Sequence, residues 1–215
     1  AAPTKSKSSR GFHTAACRLR RGVHTSAAAS ADAVRSRVGE AEWAQRVELA
    51  AAYRLAASRG WDEVIYNHIT LAVHDATSTQ PAFLLNQFGL RFDEVSASNL
   101  LKIRLDDTVV DAGSNAEPRV NLAGFVIHGA IHAARPDLKC VWHSHYTPAT
   151  AMASMRVGML PLSQEACIVL PRVSSTQHAF EGVATDLDEQ ARLVASLGSS
   201  EVLLMANHGV LCGGG

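Results

Sequence analysis

Residues 120–154 read VNLAGFVIHGAIHAARPDLKCVWHSHYTPATAMAS, and this stretch predicts three consecutive elements. Apolar residues recur at helical spacing over residues 121–134, and Arg135-Pro136-Asp137 is typical of the end of a helix. Residues 140–145 predict a strand, and residues 148–155 predict a second helix. Helices that flank a strand so closely indicate a sheet covered by helices.

The predicted strand contains two histidines, His143 and His145, that can act together. Successive side chains of a strand point to opposite faces, so these two project on the same side. Two neutral imidazoles in that arrangement can bind one metal ion. Histidines at this spacing also arise by chance in strands, so a packing role is the alternative. His128 and His132, four residues apart on the predicted helix, lack the Glu of an HExxH motif, and we favour packing or a supporting role for them.

A third ligand is needed from elsewhere, and the best candidate is His208 in the segment Asn207-His208-Gly209. It follows an apolar predicted strand over residues 201–206, and strand ends are where helix-covered sheets place their sites. Three imidazoles with an open position form a coordination typical of catalytic metals, which polarise a substrate oxygen or activate water. The ligand type alone leaves Zn, Mn, Co, Fe and Ni open.

The pattern before this region also alternates between helices and strands. Residues 40–58 predict an amphipathic helix whose apolar residues are Trp43, Val47, Ala50, Ala51 and Leu55. Further predictions, listed in chain order, are strands over 69–73 and 83–85, a brief helix capped by Ser96 through residue 101, a strand over 103–110, and a helix starting at Thr185 with Asp188 in a capping-box position and ending at Gly198.

Charge divides the chain unevenly. Residues 1–38 contain eight Lys or Arg and a single acid, Asp32, which leaves 12 basic and 19 acidic residues for the remainder. We therefore predict a basic leader over residues 1–38, either a mitochondrial transit peptide or a disordered arm, and one domain over residues 39–215. Cytoplasmic or cytoskeletal location is the alternative. The glycines at positions 213–215 follow an apolar segment, so we expect this domain to be truncated at its C-terminus.

Composition also excludes several classes of protein. The acidic domain has no basic stripe, which argues against nucleic acid as a partner. No apolar run approaches the roughly 18 residues of a membrane-spanning helix. The four cysteines are scattered without a CxxC pair, which argues against a disulfide framework or a thiolate zinc site.

Several segments together resemble the class II aldolase/adducin family. They are the central stretch 120–154 with YNHITLAV (66–73), FLLNQFGLRFDEVSASNLLKI (83–103), LPLSQEA (160–166) and VLLMANHGVLCGG (202–214). The chain is more similar to the adducin head and its short prokaryotic relatives than to the sugar-phosphate aldolases. The resemblance implies an α/β fold, a three-layer α/β/α sandwich with a central, mostly antiparallel sheet. It also implies a homo-oligomer, commonly a tetramer.

The resemblance further implies a divalent metal, usually zinc, held by His143, His145 and His208. It implies substrate-binding roles for Asn67, in a loop where the family has Gly-Asn, and for Gly89, in a second loop around the substrate.

One departure concerns the family's Ser-Ser-Glu motif, whose Glu is the acid/base of the aldolases and whose serines help to bind phosphate. Counting back from His143, this chain has Leu122-Ala123-Gly124 there. Because general acid–base catalysis contributes about 10²–10⁴-fold, the usual aldol cleavage should be impaired. Glu165 is a weak candidate for a substitute catalytic residue.

Two functions therefore compete. The first is a metal-dependent, aldolase-like lyase acting on a small hydroxy or oxo acid or a sugar derivative. The second is a non-catalytic module like the adducin head, which binds actin and the cytoskeleton or serves as an oligomeric scaffold. The intact ligand set favours the first function, and the missing Glu favours the second.

Overall fold

A computed structural model describes residues 11–74, 80–184 and 187–215, with side chains from residue 30 onward. The helices are α1 (Gly11–Ser58), α2 (Leu122–Ala134), α3 (Thr147–Ala153), α4 (Gln164–Val169) and α5 (Glu189–Leu197). The strands are β1 (His68–Val73), β2 (Ala82–Asn86), β3 (Leu100–Arg104), β4 (Val109–Asp111), β5 (Cys140–Ser144), β6 (Val202–Met205) and β7 (Gly209–Gly214).

The strands form one sheet in the order β4-β3-β2-β1-β5-β7-β6, and every neighbouring pair is antiparallel. Helix α1 packs against β1 on one face, whereas α2 and α5 contact each other and the strands β1 and β6 on the other. The predicted α/β/α sandwich with an antiparallel sheet is therefore confirmed. Among the described residues, no helix is long and apolar enough to cross a membrane.

Helix α1 was predicted correctly over residues 40–58, but its buried face was not. Val47 and Leu55 are 47% and 56% exposed, whereas Arg46, Leu49 and Tyr53 are buried. The predicted face followed apolar residues alone, and the real one includes a charged side chain that is paired inside the protein. The helix also bends at Gly39, where a φ of 80° suits a residue without Cβ.

Two local predictions were wrong. Residues 96–101 do not form a helix, because the Asn99 side chain bonds to the backbone of Glu94 and Ser96 and holds an irregular turn. The single strand predicted over 103–110 is a hairpin of β3 and β4, which turns at Asp107 with a φ of 65°. Thr185, the predicted start of α5, lies outside the described residues. Asp188 precedes α5 without a side-chain capping bond.

The alternation along β1 and β5 separates the two faces of the sheet. Ile69 and Trp142 face α1, whereas His68, Thr70 and His143 face α2. His68 lies directly opposite His143 in the register of the two strands. The middle of the sheet therefore presents imidazoles to α2.

Candidate metal centre

Three histidines from distant parts of the chain meet at one end of β5 and β7. One ring nitrogen from each of His143, His145 and His208 lies within 4.8 Å of the others. The ring centroids are 4.7–4.9 Å apart, and the Nε2 atoms of His143 and His145 are separated by 2.9 Å. The structure thus brings together all three predicted ligands, which we call the histidine cluster.

The tight turn between β6 and β7 positions the third ring. Asn207 has a φ of 56°, a left-handed conformation that Asn tolerates better than most residues. The backbone N–H of His208 donates to the carbonyl of Met205 at 3.0 Å. A Cβ atom at Gly209 would collide with the carbonyl oxygen of Ser144, so β7 can approach β5 only with glycine there. The Asn-His-Gly sequence therefore has a geometric basis.

Contacts at Nδ1 orient two of the three rings. His143 Nδ1 lies 3.2 Å from the carbonyl oxygen of Val210, and His145 Nδ1 lies 2.6 Å from Oε2 of Glu63. In both rings the partner lies next to Nδ1, so Nε2 is left for a ligand. Outer hydrogen bonds of this kind are typical of metal-binding histidines, because they fix the tautomer and the ring orientation.

The donor set fits a divalent transition metal. Burial lowers the pKa of His143 well below its usual value and lowers the pKa of His208 to about 4, and the neighbouring histidines act in the same direction. These rings are therefore neutral at physiological pH, which is the form that binds metal. Three imidazoles without a thiolate suit zinc and its neighbours, and the metal identity stays open.

The histidine cluster opens into a cavity of about 460 Å³. Its polar lining is confined to the cluster, His68, Asn121 and Tyr66, and no Lys, Arg, Asp or Glu is among the described residues that line it. The remaining walls are apolar and include Phe88, Ile127, Phe180 and Val183. A small ligand can thus be enclosed next to the cluster.

The start of α2 forms one wall of this cavity, as the family resemblance implies. Leu122 and Ala123 line it, and Asn121 caps the helix by accepting a hydrogen bond from the N–H of Gly124 at 3.1 Å. Residues 122–124 are the first turn of α2, and they provide neither the carboxylate nor the serines of the aldolases. The backbone groups of a helix start remain, and they favour the oxygens of an anionic ligand.

The other predicted site residues are not among the described residues that line the cavity. Asn67 is buried between Tyr66 and His68, and neither polar atom of its amide has a partner in the described part of the chain. Gly89 lies in an exposed turn, with a φ of 96°, directly after Phe88. Glu165 is exposed on α4 and is not among the described residues of the cavity wall. Asn67 and Gly89 thus flank lining residues, whereas the structure does not bring Glu165 to the cavity.

Sequence reasoning missed the groups that support the site. Glu63 precedes β1 and has no motif around it. Sequence reasoning also assigned no role to His68. This residue alternates with Thr70 along β1, and it lies opposite His143 of the neighbouring strand β5. That alternation was the available signal.

His128 and His132 on α2 join His68 and Thr70 in one buried row, which we call the histidine row. Nε2 of His128 lies 2.7 Å from Nδ1 of His68, and its Nδ1 lies 2.5 Å from the Thr70 hydroxyl. The same hydroxyl lies 2.8 Å from Nε2 of His132. Burial lowers the pKa of His132 to about 4. The supporting role expected for His128 and His132 agrees with this arrangement.

Comparisons with known proteins agree with the fold. The family model described as class II aldolase and adducin N-terminal domain matches residues 47–215. A solved structure titled aldolase II superfamily protein, from Pseudomonas syringae, superposes with a TM-score of 0.77 at 46% identity, over 83% of this chain and 69% of that one.

Similar sequences come from both sides of the family. A Caulobacter vibrioides protein, assigned by name to the class 2 aldolases without a stated substrate, is 42% identical over 83% of this chain and 66% of its own length. Rat alpha-adducin is 44% identical over 77% of this chain but only 22% of its own length. The chain thus spans just under two thirds of the first relative and about a fifth of the second.

Proposed function

The chain belongs to the class II aldolase and adducin N-terminal domain family, and from that premise we propose that it is a metal-dependent, lyase-type enzyme for a small hydroxy or oxo acid or a sugar derivative. One observation carries the proposal: His143, His145 and His208 converge beside a cavity that could enclose a small molecule. A protein that used the domain only as a scaffold would have no need for three converging imidazoles beside a cavity.

Each group of residues at the site would have its own role. His143, His145 and His208 would hold the ion, zinc by analogy with the family's enzymes, and a divalent ion there would supply Lewis acidity toward a substrate oxygen. Glu63 and the Val210 carbonyl hold two of the rings in place. Phe88, Phe180 and Val183 line the cavity with partly exposed apolar side chains, against which an apolar part of the substrate could pack.

Metal analysis is the first test of this proposal. We expect the purified full-length protein to contain about one equivalent of zinc or a related ion, and His208→Ala to lose it. His74→Ala changes an exposed histidine outside the site and serves as the matched control. A screen of 2-oxo and 2-hydroxy acids with the loaded protein then tests for turnover. Full-length protein that takes up no metal would contradict the proposal.

A second candidate function rests on the first turn of α2. Leu122, Ala123 and Gly124 supply no acid/base group, and rat alpha-adducin is among the similar proteins. The alternative is a non-catalytic, oligomeric module that binds actin, as adducin-head-like proteins would. An actin co-sedimentation assay with the full-length protein separates the two functions, because an enzyme should stay in the supernatant. Size-exclusion chromatography with light scattering tests the proposed tetramer in either case.

Cellular location adds a further criterion. The excess of basic residues in 1–38 supports import into mitochondria, where actin is not a partner. A fluorescent protein fused behind residues 1–38 should enter mitochondria, and Gln in place of Arg18, Arg20 and Arg21 should abolish import. Uniform cytosolic fluorescence of the unchanged fusion would instead favour the cytoskeletal alternative.

A further inference from the structure

We propose that His68 is a substrate-binding residue, and that the ligand it contacts is a small hydroxy or oxo acid whose side group is apolar rather than phosphorylated. The inference rests on the proposed function, since the same cavity and the same histidine cluster are involved. It assigns a role to a side chain outside the ligand set, and it narrows the class of substrate.

His68 reaches the cavity from the middle of the sheet. It is opposite His143 on the neighbouring strand, and the two rings stack with centroids 5.1 Å apart. It lines the cavity, and its Nδ1 is engaged by Nε2 of His128 at 2.7 Å. The ring nitrogen left for a ligand is therefore Nε2, next to the histidine cluster.

The ring occupies space that the first turn of α2 leaves open. A Cβ atom at Gly124 would lie 3.3 Å from both Cγ and Cδ2 of His68, which is tighter than ordinary packing allows. Glycine at this position lets the imidazole lie directly against the helix start. The region where the aldolases carry a carboxylate is thus occupied here by a nitrogen heterocycle that comes from β1.

The histidine row holds this imidazole in a fixed orientation. His128 is buried and bonds at its two nitrogens to His68 and to Thr70, and Thr70 bonds in turn to His132. Each neutral ring carries one N–H, so the hydrogen bonds run along the row in one of two directions. One direction gives Nε2 of His68 a hydrogen for a carbonyl oxygen, and the other gives it a lone pair for a hydroxyl. Both oxygens occur in hydroxy and oxo acids.

The walls of the cavity away from His68 indicate what side group the ligand carries. Its polar groups lie around the histidine cluster and His68, whereas Phe88, Ile127, Phe180 and Val183 form apolar walls. No described lining residue carries a positive side chain that could compensate a phosphate dianion. A phosphate dianion would have only the backbone groups at the start of α2 as partners there, whereas Phe88, Phe180 and Val183 present apolar surface, so the geometry favours an alkyl or aromatic side group.

Two hydroxamates of similar size test the inference on the zinc-loaded full-length protein. Phenylacetohydroxamate carries an apolar group, and phosphonoacetohydroxamate carries a charged one in its place. Isothermal titration calorimetry should show the first binding at least tenfold more tightly than the second. In His68→Phe, the affinity for phenylacetohydroxamate should fall about tenfold, the usual cost of one hydrogen bond in a closed site, with zinc content unchanged. His74→Phe, which changes an exposed residue directly after the same strand, should bind like the unchanged protein.

Each outcome decides a separate point. Equal affinity for the two hydroxamates would overturn the ligand class, and full affinity in a zinc-loaded His68→Phe would overturn the role of His68. If that variant does not fold, ¹⁵N NMR of the unchanged zinc protein replaces it, because bound phenylacetohydroxamate must shift the Nε2 resonance of His68. An unshifted resonance also overturns the role. Absence of zinc uptake, seen before any hydroxamate is added, contradicts the proposed function itself.

Discussion

Buried polar side chains collect at two places on the sheet, and the two groups are completed in different ways. Beneath α1, at the edge formed by β3 and β4, lie the charges of Arg46, Glu42, Lys102 and Asp111, which we call the ion network. Arg46 is fully buried and bonds to Glu42 at 2.9 Å and to Asp111 at 3.0 Å, while Lys102 bonds to Glu42 at 2.7 Å. The charges of the ion network balance within the group.

The second group comprises the histidine cluster, the histidine row and Asn67. It contains no buried countercharge, its cluster nitrogens point at one another, and the Asn67 amide has no partner within the described residues. Buried polar groups are normally paired, so an incomplete set indicates a place for a ligand or an ion. A complete network fixes structure, and an incomplete one of this kind is typical of a binding site.

The largest effect is expected from breaking the ion network. Arg46→Met removes one cation from the buried Glu42 and Asp111 carboxylates, which keep Lys102 and Arg37 as partners, and it should lower the free energy of unfolding by about 3 kcal/mol. Urea unfolding followed by circular dichroism measures it. Arg172→Met, in an exposed pair with Glu201, is the control and should cost less than about 1 kcal/mol. Equal losses in the two variants would contradict the distinction.

Zinc should stabilise the folded protein through the histidine cluster and leave the ion network unaffected. At a free zinc concentration 100 times the dissociation constant, binding to the folded state alone adds about 2.7 kcal/mol to the free energy of unfolding. Thermal unfolding with zinc and then with EDTA measures the gain and its reversal. His208→Ala should show no gain, whereas His74→Ala should show the full one. A zinc effect that survives in His208→Ala would place the metal elsewhere.

Acid should weaken the histidine row. Burial lowers the pKa of His132 to about 4 in the folded state, below its value of roughly 6.5 in the unfolded chain. The unfolded chain therefore takes up the proton first, and stability falls as the pH drops from about 6.5 toward 4. By pH 5 this histidine alone should cost ~2 kcal/mol.

Urea unfolding of the metal-free protein at pH 7.5, 6 and 5 measures this loss, and His132→Leu should show a shallower decline. Parallel pH profiles for the two proteins would rule out His132 as the source.

The smallest effect concerns the carboxylate behind the cluster. Glu63→Gln keeps the size of the side chain but removes the charge beside Nδ1 of His145, and zinc affinity should fall about tenfold. Competition with a chromophoric chelator measures the affinity. Glu48→Gln changes an exposed carboxylate on α1 and should leave it unchanged. Equal affinities in all three proteins would remove Glu63 from the site.

Periodicity predicted most of the elements, because α2, β1 and β5 each carry a regular apolar pattern. It failed where polar contacts decide the structure. Arg46 is buried through its ion pairs, and the turn at Asp107 divides one apparent strand into two.

In the candidate site, too, some residues could be predicted from the sequence and others could not. The three ligands could be predicted from the spacing of His143 and His145 and from the family resemblance, since both are properties of local sequence. Glu63 could not, because no motif surrounds it. The alternation of His68 with Thr70 marks one face of β1, but nothing in that segment specifies that β1 lies beside β5 with His68 opposite His143.

The hairpin of β6 and β7 carries a consequence for biosynthesis. His208 lies in its turn, and β7 inserts between β5 and β6, although both of these strands precede it in the chain. A nascent polypeptide that has left the ribosome only as far as β5 exposes two of the three rings. Loading with the proposed metal must therefore follow the emergence of this hairpin, because an ion delivered before then would meet only two of its three ligands.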